Sequence, residues 1–517
     1  MVRRRYVALV VVLFMLAAIA GSDATVSAQS GTSVNCVASA QPETTCNVIG
    51  GASANRVAQN ISGGTISGGG ERDLPNRITG DYGAIGGGSG NQAGNRAVVA
   101  GGSDNTASGF RALVGGGHNN TARGAYSTIS GGENNIANYY YATIGGGGGN
   151  ESSGRYSTVG GGSGNIANFT HATIAGGSYN TASSINSTIG GGDNNVASGA
   201  FSTVAGGSSN HATGFNTLVA GGSGNSASGD SATVGGGLTN HAYGNYSTIA
   251  GGDSNVTGLP NVESNRAPYA TVGGGSHNSA TGAFSTIPGG ASNRAGGAFS
   301  FAAGRRAVVK ASDQGAMLFA DSSDSDFTSA AANEFAVRAT GGVRLVTAID
   351  TSGAPISGVW LAPGSGAWSM LSDRASKSNV AAVDPRAVLA QLMTMPISTW
   401  NYKTQDASVR HIGPMAQDFR VFGVGEDSTH ISTIDENGVA LAAIQGLDQI
   451  QEEQAQQIAE LKSENAALGS RVAALEQNAR QGIAPVESSI PGSTNLLWLA
   501  GTCLVGWVFG RGRRSAG

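Results

Sequence analysis

The chain is poor in almost everything a large globular enzyme is built from. Of its 517 residues only 6% are aromatic and 12% charged, with three cysteines and twelve prolines. So few aromatics and charges leave little material for the several cores that an enzyme of this length would hold. The few prolines, with no Gly-X-Y period, exclude a collagen triple helix. Lys and Arg number 29 against 33 Asp and Glu, a net charge of −4. A nucleic-acid binder would carry a basic excess, and none is present. With 39% apolar residues and so low a net charge, disorder over most of the chain is excluded too. No Cys/His cluster has metal-binding spacing, so neither metal nor cofactor is expected. What is abundant is glycine, 84 residues. The composition predicts a repetitive, glycine-rich fibrous fold with smaller modules attached.

Both ends suggest export. Arg3, Arg4 and Arg5 precede an apolar run from Tyr6 to Ala20, and Val26-Ser27-Ala28 is a small-residue cleavage site, so residues 1–28 read as a secretory signal. The alternative is an uncleaved N-terminal anchor. Near the other end, Leu496 to Phe509 is apolar and Arg511, Arg513 and Arg514 follow. This 490–510 segment reads as a membrane anchor or sorting tail, with a buried apolar helix as the alternative. Cys36 and Cys46 lie ten residues apart just after the signal and form a candidate export-side disulfide. The chain is expected to be extracytoplasmic, at a cell surface or held to a membrane.

The middle is one unit read repeatedly. The Asn of a Gly-Gly-x-x-Asn unit recurs at Asn91, Asn105, Asn120, Asn135, Asn150, Asn165, Asn180, Asn195, Asn210, Asn225, Asn240, Asn255, Asn278 and Asn293. The period is fifteen, with one shorter step at the start and an eight-residue insertion around Leu259-Pro260-Asn261. A fixed period of this kind signals a solenoid. Six residues before each Asn stands Ile or Val, two before that usually Ser or Ala, and two after the Asn usually Ala. These alternations read as two short strands per coil, with the Gly pair and Asn in left-handed backbone at a tight corner. Coils stacked at about 4.8 Å give a rod on the order of 65 Å long. One Ile or Val and two small residues fill only a narrow roll, so neighbouring chains are expected to bury more, three around an axis. Asn at one place in every coil can form an amide ladder. The histidines His118, His171, His211, His241 and His277 share no phase and read as solvated loop residues. Calcium is not expected, since the period is not nine and Asp occurs only in some units, such as Asp193 and Asp253.

Units such as Tyr126-Ser127-Thr128-Ile129 and Asn195-Val196-Ala197-Ser198-Gly199 resemble the head repeats of trimeric autotransporter adhesins. Phe299-Ser300-Phe301-Ala302-Ala303-Gly304-Arg305-Arg306-Ala307 resembles the end of such an array. The resemblance covers roughly residues 50–310. It implies a left-handed parallel β-roll, a homotrimer, and binding to host matrix or other cells. That family ends in a β-barrel anchor, and this chain departs from it there.

The C-terminal third carries the chemistry. Residues 311–370 read as a small β connector, with strands at Phe319-Ala320-Asp321 and Phe335 to Ala339. Then comes Ser372-Asp373-Arg374-Ala375-Ser376-Lys377, and a helix opened by Asp384-Pro385. Trp400-Asn401-Tyr402-Lys403, His411 to Asp418 and Ile434 to Leu441 follow. This ordered set over 370–446 resembles the intramolecular chaperone, auto-processing domain of phage tailspikes and endosialidases. It is similar as well to the self-cleaving module of myelin regulatory factor. The resemblance implies a Ser/Lys dyad with Ser372 as nucleophile and Lys377 as general base, cutting Leu371–Ser372 once trimer assembly aligns them. A hydroxyl needs such a base nearby, and Lys377 is one of only four lysines in the chain. The pair Ala375-Ser376 departs from many relatives, and the fold can persist as a silent clamp without cleavage. Ser-Asp is also a helix-capping pattern.

Heptad a positions at Ile444, Gln451, Ile458, Asn465 and Val472, with d positions at Leu447, Gln454, Leu461, Leu468 and Leu475, predict a coiled coil. One amphipathic helix packed on its own domain is the alternative. The expected fold is thus mainly β. A signal at 1–28 and an N-terminal β region at 29–85 precede a trimeric parallel β-roll solenoid at 86–310. A β connector at 311–370, a small α+β chaperone/peptidase module at 371–446, a coiled coil at 444–480 and the tail at 490–510 complete it. The expected function is a secreted or surface-anchored trimeric adhesin-like structural protein, its ligand a host matrix, cell-surface or glycan partner and not nucleic acid. The alternative is a tailspike-like fibre acting on surface glycans. Glycoside cleavage needs paired acids in a groove, and Glu133, Glu151 and Asp230 share no phase.

Overall fold

The computed structural model describes residues 25–28, 32–37, 45–260 and 267–482. Most of the expected signal at 1–28 and all of the expected 490–510 segment lie outside them. Among the described residues no helix is long and apolar enough to cross a membrane. The chain divides into two units, residues 1–343 with 361–367, and residues 344–360 with 368–517.

The first unit is a parallel β-solenoid, and one coil shows why this sequence forms it. In the coil around Asn135, the side chains of Ser127, Ile129, Asn135 and Ala137 are all fully buried. They alternate with half-buried Thr128 and Ile136, the period-2 pattern of a strand. Thr128–Ile129 pairs in parallel with Thr143–Ile144, and Ile136–Ala137 with Glu151–Ser152. The fifteen-residue period therefore sets every side chain above its equivalent. The interior is a column of Ile and Val with columns of Ala and Ser beside it.

A third column of parallel bridges runs through the Gly-Gly corner, from Ser89–Ser103 to Ala291–Arg305. Each coil thus pairs at three places, where the sequence predicted two strands. The corners also differ from the expectation. The second glycine of the pair is left-handed, as at Gly132 with φ 95. At the Asn corner the left-handed residue is the one before the core Asn, such as Asn134 with φ 57. The core Asn stays in its strand-like setting because its side chain points inward.

That inward amide replaces apolar filling with hydrogen bonds. Asn165 Nδ2 donates to the carbonyls of Gly161 at 2.9 Å and Gly177 at 2.8 Å. Its Oδ1 accepts the backbone N–H of Asn180 at 3.0 Å. The same pattern climbs the rod, so the buried amides are satisfied. It begins before the regular array: Asn55 Oδ1 accepts from Asn76 N, and Asn76 Oδ1 from Asn91 N. It ends where Asn293 Oδ1 accepts from Ala307 N. Parallel pairing continues past the repeats to Met317–Ala320 and Phe335–Arg338.

At the N-terminal end, Thr32–Val37 pairs antiparallel with Thr45–Ile49, a register that sets Cys36 opposite Cys46. Cys46 is disulfide-bonded. His211 and His241 sit in strands rather than loops. His241 is half-buried, and burial pushes its imidazole below the usual value.

The second unit is α+β. A three-stranded sheet holds Val343–Ile349, Pro355–Leu361 and Trp368–Met370. Helix α1 spans Pro385–Thr394, α2 Ala416–Phe419 and α3 Thr433–Gln481, 49 residues long. Asp384 caps α1 and Ser432 caps α3, each side chain accepting a first-turn N–H. Helices α1 and α3 pack together, with Gly446 of α3 buried against the chain at Pro385.

Candidate functional site

The site begins where a strand ends. Trp368–Met370 closes the three-stranded sheet, and the N–H of Leu371 still donates to the Gly358 carbonyl at 3.1 Å. The next residue, Ser372, leaves the sheet. Asp373 then caps a short 3-10 turn, Arg374–Ser376, its carboxylate accepting from Ala375 N at 2.9 Å. The Ser376 hydroxyl donates to the Asp373 carbonyl at 2.7 Å. Lys377 N closes the turn on Arg374 O. This turn brings Lys377 back over Ser372, and Nζ donates to Oγ at 2.6 Å. Both residues are exposed in the single chain.

The residues before Ser372 line an apolar cavity of about 350 Å³, with Leu345, Val346, Val359 and Trp360 opposite Met370 and Leu371. The Thr433 hydroxyl, at the start of α3, lies 3.5 Å from Met370 Sδ. Neither feature is legible in the sequence, because the cavity is lined from three strands joined only by the fold.

His411 belongs to a structural hairpin. Ser398–Trp400 pairs antiparallel with His411–Gly413, setting Trp400 opposite His411. The His411 ring lies 4.7 Å from the Trp400 ring, and Nε2 bonds Gln405 Oε1 at 3.0 Å. The loop before α3 has its own polar knot. Bonds from Thr429 and His430 hold the Asp427 carboxyl well below the usual carboxylate range. Among the described residues no group of His, Cys, Asp and Glu is set to hold a metal ion.

A long parallel β-solenoid followed by a small α+β module fits a tailspike- or endosialidase-like fibre. Residues 372–422 match the Peptidase_S74 family, the chaperone of endosialidase, and the match starts at Ser372 itself. No curated protein matches the chain.

Proposed function

We propose that the chain is one subunit of an exported, homotrimeric surface fibre whose C-terminal module drives assembly and then cuts the chain once, at Leu371–Ser372. The observation that carries this reading is the 2.6 Å contact between Lys377 Nζ and Ser372 Oγ at the first residue of the family match. In the reaction Ser372 Oγ attacks the Leu371 carbonyl and Lys377 takes the hydroxyl proton. The Leu371–Ser372 C–N bond breaks, the acyl group passes to Oγ and the proton goes to the leaving amine. Water then hydrolyses the ester to a Leu371 carboxylate and a free Ser372 hydroxyl.

Neighbouring subunits packed over the exposed Ser372–Lys377 contact would exclude water from it. Assembly would then gate cleavage. Trimerisation has a second support in α3. Ile444, Leu447, Ile458, Leu461, Leu468, Val472 and Leu475, all a or d positions, are each more than half exposed in the single chain. Such a stripe fits a coiled-coil seam. The rod would serve as an adhesin-like structural element.

The test is the mass of the purified protein beside Ser372→Ala, under denaturing and native conditions. Fragments ending at Leu371 and starting at Ser372 in wild type only, within trimers, are expected. Intact trimers in both would remove the cleavage step, and monomers in both would overturn the reading.

A further inference from the structure

One corner of the rod is built unlike the others. It follows the core Asn by three to six residues, and its last residue is left-handed in every regular coil from Arg111 to Phe299. Over the N-terminal coils this corner reads Asn95-Arg96, Phe110-Arg111, Arg123 to Tyr126, Asn138 to Tyr141, Arg155-Tyr156 and Asn168 to His171. It carries four arginines and no Asp or Glu; one coil earlier the same corner is Asp81-Tyr82, with the Asp81 carboxylate accepting from Ser62 N at 2.9 Å. The carboxylates of the same coils lie elsewhere. Asp104 is at the Asn corner, Glu133 at the Gly-Gly corner, and Glu151 is in a strand, engaged by the Ser153 hydroxyl.

The rings form a continuous edge. Tyr126 stacks on Tyr141 at 4.9 Å, Tyr141 on Tyr156 at 4.9 Å and Tyr156 on His171 at 5.0 Å, all within 10° of parallel. The arginines extend the stack. Arg96 lies over the rings of Tyr82 and Phe110, Arg111 over Phe110 and Tyr126, and Arg155 over Tyr156. Tyr139 and Tyr140 stand beside the column, each about half exposed. Among the described residues Arg96, Arg111 and Arg155 make no ion pair or side-chain hydrogen bond. Nor do the hydroxyls of Tyr126, Tyr139, Tyr140, Tyr141 and Tyr156 make one.

We propose that this corner, from Arg96 to His171, binds a linear acidic polysaccharide running along the rod. The rings hold the guanidinium planes by cation–π contact, which leaves the N–H edges free for bidentate carboxylate or sulfate groups. The unspent tyrosine hydroxyls suit a polymer rich in hydroxyls. Because the ring faces are stacked on one another, they are closed to nucleobases, which need an open face. The proposal rests on the reading of the chain as a surface fibre and names its ligand and the place where it binds.

The test uses the full chain and immobilised polygalacturonate, dextran sulfate, neutral dextran and single-stranded DNA. The variants are Arg111→Ala, Arg155→Ala and Tyr140→Ala. All three change exposed side chains, and circular dichroism and the Ser372 cleavage assay report folding and processing separately. Binding to an acidic polymer and not to dextran, weakened about tenfold or more by each Arg variant and falling with added salt, is expected. Polygalacturonate and dextran sulfate tell carboxylate from sulfate recognition. Equal binding to dextran, no binding to either acidic polymer, or variants that bind like wild type would overturn the proposal. So would DNA binding as strong as that of the acidic polymers. None of these results would alter the cleavage assay, so this proposal and the self-processing reading fail separately.

Discussion

Asn165 Oδ1 accepts both the backbone N–H and the side-chain Nδ2 of Asn180, each at 3.0 Å, one coil further along the rod. With its two bonds to Gly161 and Gly177, one amide makes four bonds that tie its own coil to the next. Asn165→Ala would leave the Gly161 carbonyl and the Asn180 N–H without partners, while the Gly177 carbonyl keeps the Ser163 N–H. At about 1–3 kcal/mol for each orphaned group, the loss should reach several kcal/mol. Urea unfolding should show it as a lower midpoint, and an unchanged midpoint would contradict the ladder's role.

The Gly pair gives a sharper contrast. Gly177 has φ +88, and a Cβ there would stand 2.1 Å from the Gly192 carbonyl oxygen, a backbone atom that cannot move aside. Its neighbour Gly176 has nothing within 4 Å of the same added atom. Gly177→Ala should therefore destabilise the rod severely, while Gly176→Ala should be near neutral. Thermal melts of the two variants side by side decide this.

How much of this was legible depends on repetition. The four buried positions per coil, exemplified by Ser127, Ile129, Asn135 and Ala137, stand at the spacings the sequence displays, because a strict period leaves the core no freedom. The start of the ladder was missed. Ile49 does stand six residues before Asn55, but the 21-residue step to Asn76 hides the phase. The aromatic corner was missed for another reason. Tyr126, Tyr141, Tyr156 and Phe201 adopt left-handed backbone, which propensity reserves for Gly, Asn and Asp. His171 belongs to that column, so its phase shows only when ring and arginine positions are read as one set. In the candidate site, Ser372 and Lys377 could be named from their motif. Their contact could not, since it depends on a turn pinned by the Asp373 carboxylate and the Ser376 hydroxyl.

In the second unit, two glycines of α3 should respond in opposite directions. A Cβ on Gly446 would lie 2.3 Å from the Pro385 carbonyl oxygen, whereas one on Gly469 meets nothing. Gly446→Ala should separate α1 from α3 and destabilise this unit. Gly469→Ala should stabilise the helix by about 1 kcal/mol. Thermal unfolding and helix content by circular dichroism measure the two effects.

The end of the rod should be sensitive to acid. Asp321 accepts from the backbone and hydroxyl of Thr340 and from Ser323 N, and these bonds hold its carboxyl well below the usual range. Arg338 Nε lies 2.9 Å from it. A depressed carboxylate contributes stability that is present above the unfolded value of about 3.9 and is lost as pH falls toward the folded one. Hydrogen exchange at 317–340 should therefore accelerate below about pH 4 in wild type. In Asp321→Asn it should already be faster at neutral pH and change less on acidification.

Between Asn255 and Asn278 the chain carries eight extra residues, yet Asn278 N still bonds Asn255 Oδ1 at 3.0 Å. The rod registers its neighbours above and below and nothing about the detour between them. A duplicated or deleted unit would meet the same neighbours as before, so copying errors in such a gene would yield longer or shorter fibres that still fold. The length of the rod can thus change in increments of about 4.8 Å, without any residue of the remaining rod having to be redesigned.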